Sequence, residues 1–145
     1  MDPIASALSI IILLFSVIIH EVMHGLVALK FGDHTAEQAG RLTLNPIPHI
    51  DLFGTILLPI LAFWSGGIIF GWAKPVPVNP LNFSNLRKGE FFVSAAGILA
   101  NFGLAIVAAI IYHILNALPQ TFPAYIGDVL SFTILINLVL GVFNL

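Results

Sequence analysis

Residues 3–31 read PIASALSIIILLFSVIIHEVMHGLVALKF. The stretch has no charge from Pro3 to Ile19, then sets His20, Glu21 and His24 into a background that stays apolar to Leu29. At about 1.5 Å per residue, a helix of this length crosses a hydrocarbon layer of about 30 Å. A cleavable leader is the competing reading. It would need a basic flank before the apolar run and a small-residue cleavage site after it, and this run has neither and is too long. The stretch reads as a retained helix over 4–31, with Gly32 as its stop.

Composition extends that reading to the rest of the chain. Apolar residues make up 59% of the 145 and charged residues 8%, against about 45–50% and about 25% in soluble domains. Mean hydropathy is +1.04, and so few charges cannot cover a soluble globule. A soluble enzyme, an acidic disordered tail and a basic nucleic-acid binder are excluded. With five Lys and Arg in all and a net charge of −2, no phosphate-seeking surface exists. The absence of cysteine removes disulfide scaffolds, thiolate metal sites and cysteine nucleophiles. A multi-pass protein of the cell membrane remains, all-α in class, with the lipid bilayer as its surroundings and no nucleic acid among its partners.

Outward from the first helix, residues 32–50 form a polar connection. Within it, Gly40-Arg41-Leu42-Thr43-Leu44 alternates apolar with polar and predicts a short β-strand or hairpin closed by Asn45-Pro46. A second apolar run, 52–73, is interrupted by Pro59, Gly66, Gly67 and Gly71, and the three prolines of 75–80 force extended chain after it. Runs 91–118 and 124–145 predict two further helices, making one membrane-embedded unit over 1–145. If run 52–73 spans, Lys30 and Arg41 fall on one face of the membrane and Lys74, Arg87 and Lys88 on the other. If it dips in and returns, all five fall on one face, which the positive-inside rule prefers. The expectation is three transmembrane helices plus a re-entrant segment at 52–73, with the N-terminus outside and the basic loops cytoplasmic.

The chemistry resides in His20-Glu21-Val22-Met23-His24. On a helix, positions i and i+4 lie about 40° apart in azimuth and about 6 Å apart along the axis, so both imidazoles reach one metal ion. Glu21 projects close enough to take a proton from a metal-activated water. The plain alternative is a pair of structural histidines bonded to backbone. Against it, an ionisable carboxylate within a membrane helix costs about 2.5 kcal/mol or more and is usually functional.

At these residues the chain resembles the site-2 proteases, intramembrane zinc metalloproteases. The resemblance rests on His20 to Gly25, on Gly40 to Pro46 followed by His49-Ile50-Asp51, and on Gly71 to Pro80. It continues through Ala95-Ala96-Gly97-Ile98-Leu99-Ala100-Asn101 and Asn137 to Leu145. It implies zinc held by His20 and His24, Glu21 as the catalytic base, and transmembrane helices of other proteins as substrates. It also implies that Asn101 lines the cavity and positions substrate or the oxyanion, although a mid-span asparagine also serves as glue between helices. Residues 40–44 would be an edge onto which unwound substrate adds as a strand.

The sequence departs from the family at two places. Ile98 stands where the family has proline. The family's third ligand, an aspartate of an Asp-Gly pair following a stretch like Val142 to Leu145, is not among these residues, so the chain reads as a core truncated before that ligand. The alternatives are a catalytically inactive truncated homologue and a small non-enzymatic membrane protein such as a transporter or channel subunit. An inverted repeat would mark a transporter, and none is visible.

Overall fold

The computed structural model describes residues 2–57, 61, 64, 73–119 and 122–144. Among the described residues three helices are long and apolar enough to cross a membrane: α1 (Pro3–Lys30), α3 (Leu86–Ala117) and α4 (Ala124–Phe143). A one-turn helix, α2 (Thr35–Gln38), follows α1.

The helix boundaries have local causes. Asp2 caps α1 by accepting from the Ile4 amide, with Pro3 in the first turn where its missing N–H is harmless. At the other end Gly32 adopts φ +98. Its amide bonds to the Leu29 carbonyl and that of Asp33 to the Ala28 carbonyl, each at 3.0 Å, a Schellman ending that glycine permits. The predicted start of the next long helix, at 91, is corrected to Leu86. Asn85 accepts from the Lys88 amide at 3.0 Å, so the charged residues Arg87, Lys88 and Glu90 lie in the first two turns of α3 rather than in a loop before it.

The helices pack antiparallel in sequence order. Phe31 of α1 stacks on Phe92 of α3 at 6.0 Å. Towards the other end of α3, a side chain on Gly127 of α4 would meet Tyr112. α1 and α4 run parallel, tied by the Asn137 amide donating to Ser16 Oγ at 2.9 Å between two buried residues. In that register Gly141 lies level with His20, so the last turn of α4 reaches the depth of the His–Glu–His motif.

Because α1 ends where α3 begins, residues 32–85 leave and return at one end of the bundle. Asp33 is the knot there. It is fully buried and accepts from the Thr35 amide and hydroxyl, the Asn82 side-chain amide at 2.8 Å and the Asn79 amide at 2.7 Å. Burial alone would raise its pKa. The donors from Thr35, Asn79 and Asn82 overcome that and lower it to about 2. A depressed carboxylate stabilises the fold above its unfolded pKa near 4 and loses that contribution as pH falls through about 2. Thermal stability is therefore expected to be flat from neutral pH to about 4 and to fall between about pH 4 and 2. Repeating the pH series with Asp33→Asn should abolish that component.

The predicted strand at 40–44 does not form, and no strand is present among the described residues. Its backbone has no ladder partner, because side chains take the bonds a ladder would make. Arg41 Nη2 donates to the Lys74 and Pro75 carbonyls at 2.6 and 3.3 Å. The Thr43 carbonyl accepts from His49 Nε2 at 2.9 Å, and Thr43 Oγ1 accepts from the Asn45 amide, bending the chain. His49, within the polar connection 32–50, is thus a buried tie. The re-entrant reading of 52–73 falls largely on residues outside those described. Its described beginning, Leu52–Leu57, is a π-helical turn, and nothing among the described residues supports a re-entrant segment.

Candidate metal centre

α1 brings the motif to the interior one and a half turns before its end. His20 is buried, while Glu21 and His24 are partly so. As the i, i+4 spacing requires, the two imidazoles converge, with their Nε2 atoms 3.0 Å apart and ring planes at 79°. Two nitrogens on one tetrahedral zinc, each at about 2.0–2.1 Å, sit about 3.3–3.4 Å from each other. The pair is therefore within a few tenths of an ångström of a chelating arrangement.

α3 supplies the support. Its residues 93, 97 and 101 recur at four-residue spacing and run antiparallel to 24 and 20. Val93 offers its carbonyl to His24 Nδ1 at 2.6 Å. A carbonyl only accepts, so Nδ1 carries the proton and the Nε2 lone pair is turned toward His20, the orientation that metal-binding histidines take from such partners. Gly97 provides room. A Cβ there would stand 2.5 Å from His20 Cε1 and His24 Nε2 and 2.6 Å from His20 Nδ1. Asn101 lies against His20 from the same helix, with no exposure and with neither amide atom partnered. It therefore faces the buried side of the imidazole pair.

Glu21 is held from the loop side. Its Oε2 accepts the Val76 amide at 2.7 Å. Val76 belongs to the extended segment 73–79, which side chains fasten at both ends: Arg41 on the Lys74 and Pro75 carbonyls, Asp33 on the Asn79 amide. Gly25 lets this strap approach α1, since a Cβ there would meet Leu42 Cδ2 at 2.6 Å and Val76 Cγ1 at 2.9 Å.

The structure brings His20 and His24 together, with Glu21 in the same turn and its carboxylate on the Val76 amide, and the imidazole pair fits zinc. The two imidazoles converge, the Val93 carbonyl already holds Nδ1 of one, and Gly97 leaves room for both. Among the described residues no third His, Cys, Asp or Glu joins them. Sequence reasoning missed three supports: the Val93 carbonyl, the Val76 amide and Gly97. Two are backbone groups with no side-chain signature. Gly97 was legible only as a residue of the A-A-G stretch, although its four-residue offset from Asn101 mirrors that of His20 from His24.

Comparison with known proteins yields two relatives. Over 140 residues, 94% of this chain, it is 41% identical to a Bacillus subtilis protein named "Putative zinc metalloprotease YwhC", 61% of whose length is matched. Over 95 residues, 65% of this chain, it is 36% identical to "Putative zinc metalloprotease Rip2" of Mycolicibacterium smegmatis, matching 35% of that protein. The chain thus spans less than two thirds of either relative. No protein-family profile matches it, and no solved structure does.

Proposed function

The chain is a homologue of bacterial proteins named as zinc metalloproteases, site-2 protease-like in type, and on that premise we propose that it is the catalytic core of an intramembrane zinc endopeptidase. The observation that carries the reading is the imidazole pair at 3.0 Å, with His24 held by Val93 and the pair admitted by Gly97. His20 and His24 would hold the zinc, with their converging Nε2 atoms as donors. Bound zinc supplies a Lewis acid that acidifies water and polarises a peptide carbonyl. Glu21 takes the proton of the attacking water and returns it to the leaving amine. The Val76 N–H fixes one carboxylate oxygen and leaves the other for that work.

Substrates are transmembrane segments of other membrane proteins. The motif lies within an apolar helix, and a peptide bond reaching it must first give up its own helical hydrogen bonds. The five Lys and Arg residues face the cytoplasm, because residues 32–85 start and finish at one end of the bundle, and the N-terminus lies outside. Catalytic zinc takes three protein ligands and a water. The last turn of α4 arrives at the depth of His20 and His24, so a carboxylate at or beyond that turn would complete the set.

The test is zinc per chain in detergent-purified protein, with His24→Ala alongside. Near-stoichiometric zinc that His24→Ala abolishes is the expected result. Equal zinc content in the two proteins, or none in either, would overturn the metal site for this chain.

A further inference from the structure

We infer that Asn101 is the positioning residue for His20, bonding its Nδ1 so that Nε2 is presented to the metal; the inference rests on the metal-site reading above. The two histidines are supported unequally. His24 has its Nδ1 on the Val93 carbonyl. His20 Nδ1 is buried without a hydrogen bond, and two groups of α3 lie against its ring, the Gly97 backbone and the Asn101 side chain; a carbonyl can only accept, whereas the buried Asn101 amide, its nitrogen and oxygen both without partners, can donate or accept. Buried polar groups in native proteins are paired, and unpartnered groups on adjacent side chains are satisfied by a small rotation that brings them together.

An amide suits this position in both states of the centre. His24 Nε2 is an acceptor, because its Nδ1 donates to Val93. In the metal-free protein His20 Nε2 must therefore be the donor across the 3.0 Å contact, which leaves His20 Nδ1 an acceptor for Asn101 Nδ2–H. When His20 is a ligand its Nε2 gives up the proton, Nδ1 carries it, and Asn101 Oδ1 accepts. A carboxylate at 101 would serve the second state alone, and an aliphatic side chain neither. The other buried asparagine shows what a packing role looks like. Asn137 donates to Ser16 Oγ and to the Thr133 carbonyl, each at 2.9 Å, whereas the Asn101 amide has no such bond among the described residues and lies against His20.

The experiment combines zinc affinity by chelator competition with imidazole 15N shifts of the metal-free protein, for wild type, Asn101→Leu, Asn101→Asp and Asn137→Leu. Asn101→Leu is expected to weaken zinc about 10–100-fold, the usual effect of losing a ligand's hydrogen-bond partner. Asn101→Asp should keep wild-type affinity and move the His20 proton from Nε2 to Nδ1. Asn137→Leu should change neither. Asn101→Leu with wild-type zinc affinity and unmoved His20 shifts would overturn the inference, including the case where turnover alone is lost, since that assigns Asn101 to the substrate. If Asn101→Leu does not fold, the His20 shift in Asn101→Asp decides. If wild type binds no zinc, the metal reading falls, and the metal-free shifts still decide whether Asn101 holds His20.

Discussion

Gly97→Ala is expected to dismantle the metal centre while leaving the helices in place. The new methyl would lie 2.5 Å from atoms of both imidazoles, well inside van der Waals contact. Neither ring has room to yield, because His24 is tied to Val93 and His20 is buried against α3. Overpacking of this kind costs about 1–3 kcal/mol, so the bundle persists with its ligands displaced. Zinc affinity should fall about 100-fold, the upper end of what disturbing a ligand's support does. Gly103→Ala is the control, since a Cβ there meets nothing within 4 Å on the same helix. Chelator competition on both variants decides. Unchanged affinity in Gly97→Ala would mean that α3 does not pack on the histidines in this register.

Glu21→Gln should remove hydrolysis and leave everything else. The Gln oxygen still accepts the Val76 amide, so the strap stays fastened. The variant loses only the capacity to take a proton. Cleavage of a transmembrane reporter should drop by about 10²–10⁴, the usual range for a positioned general base, with zinc content and thermal midpoint unchanged. Val76→Pro makes the complementary change, deleting the N–H while sparing the carboxylate. Full activity in Glu21→Gln would transfer the base to another group.

Which features were legible followed from where their causes lie. α1 and its motif were legible because apolar length and i, i+4 spacing are local properties. Gly32 was legible as a stop because a left-handed φ favours glycine. The strand at 40–44 was misread because alternation reports which side chains face inward, whereas a strand also needs a partner backbone. Here Arg41 and His49 supply the bonds instead. The start of α3 was placed late because hydropathy fades where helices leave the membrane, although Asn85 was available as a cap. Val93 and Val76 act through main-chain groups, which no residue type advertises.

The Val76 and Gly97 contacts also bear on how the protein is made. Glu21 and His24 leave the ribosome first, and the segments that shelter them follow. At about 5–20 residues per second, the roughly seventy residues between His24 and Gly97 take about 4–15 seconds to synthesise. Until Val76 and then Val93 and Gly97 are made, the nascent first helix holds a carboxylate and two imidazoles without the groups that later shelter them. Such a group at the bilayer centre costs about 2.5–3.5 kcal/mol. The newborn helix must therefore wait near the headgroups or against the insertion machinery until the later hairpin docks.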